Sequence, residues 1–149
     1  MRQVLYKLVK GNFTRSERSF IRSTLMDARG WGKDYDFVLR RGTEPADVIF
    51  EIWDSQKIAK TYGKKFRKFS VCSTDGGTAT GGTATRASKI VINQDNWDNG
   101  SKTYRQYVLQ HEMGHALGNG HRKMAPLGAC NVMTVQSNRR LTCTLNPWQ

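Results

Sequence analysis

The chain has 149 residues, enough for one domain with its own core. Hydrophobic residues make up 38% and charged residues 24%, which excludes a disordered chain, and no apolar run reaches the roughly 20 residues of a membrane span. Lys and Arg outnumber Asp and Glu by 24 to 12, and the net charge of +12 favours contact with anionic polymers or surfaces. We therefore expect a soluble monomer with a single domain over residues 1–149.

The first residues alternate apolar and charged side chains, a pattern that predicts a strand over residues 3 to 9. A signal peptide has instead a continuous apolar stretch and a cleavage site with small residues. We expect the mature form of a secreted or cell-surface protein, and an intracellular location stays open at this point.

A helix is predicted after the first strand, because Thr14 and Glu17 have the spacing of a capping box. We expect this helix to end near Gly30. Two stretches rich in aromatic and β-branched residues follow at 35–42 and 46–53 and predict strands. A strand, a helix and further strands indicate an α+β domain in which a helix backs a mixed, twisted sheet.

A cationic segment occupies residues 57–68, where six Lys and Arg residues are interleaved with aromatic ones. One interpretation is a patch that binds an anionic surface or polymer. The other, which we favour, is a solvated segment whose aromatic side chains turn into the core, because runs of charge commonly serve solubility.

Residues 73–85 are rich in Gly and Thr and contain the repeat GGTAT GGTAT, so we expect a mobile loop without core residues. Residues 89–97 predict the last strand, and the NWDNGSKT sequence that ends at Thr103 is typical of turns. Thr103 and Gln106 have the spacing of a second capping box, which predicts a helix from about Tyr104 to Leu117.

The predicted second helix contains the sequence HEMGH, in which His111 and His115 are four residues apart and share one face. Glu112 projects about 100° around the helix from His111, where a general base can hold a water molecule beside a metal ion. Gly118 can adopt the left-handed conformation that ends a helix, and the chain can then return His121 toward the same ion. The motif therefore predicts a metal site of three histidines.

The complete pattern HEMGHALGNGH resembles HExxHxxGxxH, the zinc signature of the metzincin metalloproteases. Met133 stands where the metzincin methionine turn, beneath the three ligands, is expected. The resemblance implies a zincin-like (metzincin) fold with an active-site helix, one catalytic Zn²⁺ and an open fourth position. DARGW at 27–31, VMTVQ and the closing LNPWQ further resemble a bacterial, chiefly actinobacterial, family of small zincin-like domains of uncharacterised function.

The cysteines differ from that family in one respect. Its members tend to have a second cysteine after the one that resembles Cys72, and this chain has the GGTAT repeats there instead. The close spacing of Cys130 and Cys143 favours a disulfide between them, and the alternative is a reduced, intracellular protein. A second difference from metzincins is that no tyrosine follows Met133 to assist the oxyanion.

Taken together, these patterns predict a zinc-dependent endopeptidase, in which Glu112 activates a water molecule for attack on a peptide or protein substrate. A zinc amidase that acts on cell-wall peptides fits the same residues. A third alternative is a binding module for anionic polymers, which would use the segment 57–68 and in which a fourth ligand, such as Cys130, would close the zinc site.

Overall fold

A computed structural model describes residues 1–77, 87–124, 126–137 and 140–149. Within these residues a sheet of five strands has the order β2-β1-β3-β5-β4, and only β4 runs antiparallel to its neighbour. The elements in chain order are β1 (Arg2–Leu8), α1 (Arg15–Met26), β2 (Tyr35–Leu39), β3 (Val48–Trp53), α2 (Ser55–Tyr62), β4 (Val71–Gly77), β5 (Ala87–Asn93), α3 (Gln94–Asn99) and α4 (Lys102–Ala116). The expected α+β class with a mixed sheet is confirmed. Among these elements there is no helix with the length and apolar character of a membrane span.

The two faces of the sheet bury different helices. Phe50 of β3 and Ile90 of β5 are paired in register and belong to the main core, against which α1 and α4 pack. On the other face Trp53 and Val91 form a smaller cluster with Ile58 of α2. Because strands β3 and β5 are covered on both faces, their sequences are nearly continuous runs of apolar residues, as is usual for buried parallel strands.

The capping box of α1 is confirmed. The Glu17 amide donates to Thr14 Oγ1 at 3.1 Å, and the Thr14 amide donates to Glu17 Oε1 at 2.9 Å. The helix ends at Met26, earlier than the expected end near Gly30. Asp27 adopts an extended conformation, and its carboxylate accepts bonds from the backbone and guanidinium of Arg29, so a turn replaces the last helical residues.

The second capping box is wrong. Ser101 caps α4, since the Tyr104 amide donates to Ser101 Oγ at 3.1 Å, and Thr103 lies inside the first helical turn. The strand expected over 89–97 ends earlier, at Asn93, which caps α3. This helix replaces the expected strand end and the first of the expected turn residues, and it buries Trp97. Gly100 and Ser101 link the two helices.

The expected loop at 73–85 is wrong in its first part. Strand β4 continues to Gly77, which pairs with Ala87 after a register shift that begins at Ser73. A glycine is compatible with such an irregular pairing in an edge strand. The rest of the repeat sequence lies in 78–86, outside the described residues.

The cationic segment 57–68 forms α2 and a following 3₁₀ turn, Lys64–Phe66. Tyr62 and Phe66 pack against the smaller cluster, with the Tyr62 ring stacked on Trp53 at 5.8 Å between centroids. All six cationic side chains of the segment are exposed. This matches the interpretation of a solvated segment whose aromatic residues turn inward, and anion binding stays a prediction.

Candidate metal centre

Three histidine side chains meet at the C-terminal end of α4. His111 and His115 lie one turn apart on the helix, and His115 Nε2 is 3.2 Å from His111 Nε2 and 3.0 Å from His121 Nε2. The ligand atoms of the three rings all lie within 4.8 Å of one another, so they could hold one metal ion. The structure thus brings the three predicted ligands together.

The turn after α4 returns His121 to the other two rings. Gly118 has a φ of +99°, a left-handed value that glycine adopts without the steric cost of a Cβ. The Gly118 amide donates to the His115 carbonyl at 2.9 Å and the Asn119 amide donates to the Gly114 carbonyl at 2.9 Å. These two bonds form a Schellman motif, so the role predicted for Gly118 matches its conformation.

Backbone carbonyls orient two of the three imidazoles. His111 Nδ1 lies 2.7 Å from the Val132 oxygen and His115 Nδ1 lies 2.8 Å from the Asn119 oxygen. A carbonyl can only accept, so each Nδ1 carries the proton and each Nε2 presents its lone pair to the shared centre. Burial lowers the pKa of His111 to about 4 and also lowers that of His115, which favours the neutral rings that bind metals.

Glu112 is buried beside the histidines and lines the same cavity as His111 and His121. Burial raises the pKa of its carboxyl to about 8. Burial and, to a smaller extent, the negative charge of Glu112 raise the pKa of the Cys72 thiol on β4 to about 12. Glu112 therefore stands where a proton acceptor of raised basicity can act on a molecule in the cavity.

Met133, the residue expected in the methionine turn, lies in a tight turn that contacts α4. Within this turn the Thr134 amide donates to the Asn131 carbonyl at 2.9 Å, and the Met133 amide donates to Asn131 Oδ1 at 2.8 Å. A Cβ on Gly114 would overlap the Met133 sulfur and would lie 3.0 Å from Trp31 Cζ2. The glycine inside HEMGH thus permits close contact between helix and turn, a role that the motif alone does not show.

The predicted disulfide between Cys130 and Cys143 is confirmed, with a Cα–Cα distance of 5.0 Å. Its neighbourhood is reinforced, because the Cys130 amide donates to the Thr144 carbonyl and Asn146 Nδ2 donates to the Cys130 carbonyl. The Cys130 sulfur is used in this bond and is not available as a fourth metal ligand. Cys72 is a free, half-buried thiol.

Sequence reasoning missed Gln110, the buried residue before the first histidine. Gln110 Nε2 donates to the Thr24 carbonyl at 2.6 Å, and Trp31 Nε1 donates to the Gln110 carbonyl at 2.8 Å. These bonds fasten α4 to the end of α1 and to the residues that follow it. They also give the Trp of the DARGW sequence a structural role.

A cavity of about 290 Å³ opens beside Glu112. Two tyrosines of α4 connect the helix to the segment after Met133: Tyr107, which lines the cavity, accepts a bond at its Oη from the Gln136 amide, and Tyr104 Oη lies 2.7 Å from Oγ of the lining residue Ser137. Sequence reasoning gave no sign of the cavity, whose lining residues are Lys65, Phe66, Phe69, Ser70, Tyr107, Val108, His111, Glu112, His121, Val135 and Ser137.

Comparison with known proteins yields a family without an assigned activity. No curated protein matches the chain. One protein-family model matches residues 11–141, a range that includes the three histidines, Glu112 and Met133 and ends before Cys143. The chain belongs to this family, which is described as "Protein of unknown function (DUF3152)".

Proposed function

We propose that the protein is a zinc-dependent endopeptidase of the metzincin type, in which Glu112 is the general base. The observation that carries the proposal is the convergence of one ring nitrogen from each of three histidines within 4.8 Å, next to a buried carboxylate that lines the same cavity as His111 and His121. The open cavity gives a substrate access to both the histidines and Glu112.

The donor set fits zinc. Three neutral imidazoles without a fourth protein ligand are typical of catalytic zinc sites, whereas structural sites are usually closed by cysteine. His111, His115 and His121 would hold the ion, and within the described residues no cysteine or carboxylate joins their group. When bound, zinc supplies a Lewis acid that lowers the pKa of water to about 7 and polarises a carbonyl.

Glu112 performs the proton transfers of the proposed reaction. Its carboxylate removes a proton from the water that attacks the scissile carbonyl, and it returns that proton to the leaving amine nitrogen. Burial raises the pKa of Glu112 to about 8, so the group holds the proton between these two steps more firmly than an exposed carboxylate does. The carbonyls of Val132 and Asn119 keep His111 and His115 in place meanwhile.

The sheet supports the zincin-like part of the proposal. Strand β4 is an edge strand antiparallel to β5, and it contacts α4, the helix that carries His111 and His115. An extended peptide can add to such an edge through main-chain hydrogen bonds. We infer that the substrate lies along β4 with its scissile bond near Glu112.

The disulfide supports a location outside the cytosol. Disulfides persist in oxidising compartments, and the Cys130–Cys143 bond ties together the segment that orients His111. We propose that the protein is secreted or displayed at the cell surface.

The test compares Glu112→Ala with the parent protein and with Glu44→Ala, a control whose carboxylate pairs with Arg40 on the surface. We expect Glu112→Ala to keep stoichiometric zinc and to lose about 10²- to 10⁴-fold in the rate of cleavage of a denatured protein. His115→Ala should no longer retain zinc. Its zinc affinity should fall by more than the roughly 10- to 100-fold that is lost when only the hydrogen-bond partner of a ligand is removed.

If Glu112→Ala digests the denatured protein as fast as the parent, the proposal is wrong. Glu112-dependent release of soluble fragments from cell walls, without digestion of the denatured protein, would instead support the amidase. Chelator-treated parent protein serves as the second negative control for both substrates.

A further inference from the structure

The cavity beside Glu112 is large enough to hold one large side chain. Its volume of about 290 Å³ lies just below the roughly 300–1,000 Å³ of pockets that take whole small molecules. Its position next to Glu112 and His111 means that a group inside it lies close to the proposed scissile bond.

Most of the lining is apolar. Phe66, Phe69, Val108 of α4 and Val135 supply apolar side chains to it. An apolar side chain that leaves water for such a lining gains roughly 25 cal/mol per Å² of buried area. A polar or charged side chain would lose its hydration without a comparable return.

Core packing and hydrogen bonds hold several lining residues in place without a substrate. Phe66 packs on the smaller core cluster, and Tyr107 binds the chain next to Val135 through its hydroxyl, which accepts from the Gln136 amide at 2.9 Å. Ser137 is held by Tyr104 Oη at 2.7 Å. A cavity formed in advance selects by shape more strongly than one that must be ordered during binding.

Lys65 adds a charge to the same site. Its side chain is exposed, lines the cavity, and places Nζ 5.0 Å from the centroid of the Phe66 ring. The ammonium therefore lies at the solvent side of an otherwise apolar wall, within the exposed cationic segment 57–68. A substrate residue that flanks the buried side chain meets this charge.

We propose that the cavity is the specificity pocket of the enzyme: it takes a large apolar side chain on one fixed side of the scissile bond, and Lys65 favours an acidic residue next to it. The inference rests on the proposed function. It identifies the substrate class as peptides or proteins in which a bulky apolar residue is followed or preceded by Asp or Glu.

The test maps cleavage sites by mass spectrometry in peptides that differ only at the position next to the cut. We expect Leu, Met, Phe or Tyr to exceed Ala by on the order of 10²-fold in kcat/KM, because several methylene groups are recognised at once. Val135→Trp fills the cavity and should remove most of this preference, whereas Val38→Trp, a half-buried valine of β2 outside the cavity, should keep it. Thermal unfolding and zinc content identify any variant that fails to fold. If Val135→Trp does not fold, Phe69→Ala is used in its place, since it enlarges the cavity and should shift the preference to larger side chains.

The charge at the rim is tested separately. Lys65→Glu should reduce the ratio of kcat/KM for acidic over basic flanking residues by roughly 2- to 5-fold, the usual range for an exposed ion pair. Lys60→Glu makes the same change of charge in α2 at a side chain that does not line the cavity, and it should leave the ratio close to that of the parent. An equal effect of both substitutions would show a general field and would overturn the role of Lys65.

The outcomes separate the inference from the proposed function. Cleavage that depends on Glu112 but shows no side-chain preference overturns the pocket and leaves the endopeptidase in place. If no cleavage depends on Glu112, the endopeptidase proposal is wrong. The pocket is then tested by binding: the fluorescence anisotropy of labelled forms of the same peptides is measured with zinc-loaded Glu112→Gln protein. Stronger binding of apolar peptides that Val135→Trp abolishes would retain it as a binding site, and equal binding of all peptides would overturn it.

Discussion

Helix α4 and the chain after it contribute to the same centre in different ways. The helix and its Schellman end, from Lys102 to His121, supply all three imidazoles and Glu112 through contacts between residues close in sequence. The described residues after Arg122 contain isolated bridges and turns, and they act through a disulfide and side-chain bonds to the backbone. The local element thus supplies the reactive atoms, and the irregular one fixes their orientation.

The irregular segment reaches the helix at two points. The Val132 carbonyl accepts from His111 Nδ1, and the Met133 sulfur lies against Gly114. Gln136 strengthens this segment, since its side chain bonds to the backbone of Asn146 in both directions. Loss of these supports should loosen the site although every proposed ligand is still present.

The largest effect is expected from removal of the disulfide. Replacement of both Cys130 and Cys143 by Ala releases a loop with a sequence separation of 13, and the free energy of unfolding should fall by about 3 kcal/mol. Zinc affinity should fall as well, by roughly 10- to 100-fold, because the Val132 carbonyl that orients His111 lies two residues from Cys130. Urea denaturation and a competition assay with a chelator measure the two effects.

Cys72→Ala provides the control for that variant, since it also removes a sulfur but breaks no bond. It should cost less stability than the double substitution and should leave the orientation of His111 unchanged. Equal urea midpoints for the parent and the double variant would show that the irregular segment is held without the disulfide.

The contact between the two regions is tested by Gly114→Ala. In an exposed helix this change usually stabilises by about 1 kcal/mol, but here the new Cβ would overlap the Met133 sulfur and should destabilise by roughly 1–3 kcal/mol. Gly120→Ala is the control, since a Cβ at that position has no atom within 4 Å. Thermal unfolding of both variants, and a double-mutant cycle with Met133→Ala, would measure the coupling. Additive effects in the cycle would contradict the contact.

The same comparison explains which parts of the site could be predicted from the sequence. The histidines, Glu112 and Gly118 follow from helical periodicity and from the conformation of glycine, which act over a few residues. The bonds of Trp31 to Gln110 join residues 79 positions apart, and the cavity wall combines Phe69 with Val135. Such pairs have no local signal, because the fold alone determines which distant residues meet.

The smallest expected effect concerns the start of α4, where a local pattern gave the wrong cap. Thr103 and Gln106 fit the spacing of a capping box, yet Ser101 is the cap, because Gly100 ends α3 and the Ser101 carbonyl already accepts the first helical bond from the Arg105 amide. Ser101→Ala should therefore lower the free energy of unfolding by about 1 kcal/mol, through loss of the bond to the Tyr104 amide. Thr103→Ala, exposed within the first turn, should change it by less than about 0.5 kcal/mol. Urea midpoints of the two variants distinguish the caps. A larger loss of stability for Thr103→Ala than for Ser101→Ala would show that Thr103 is the cap and that the helix begins after it.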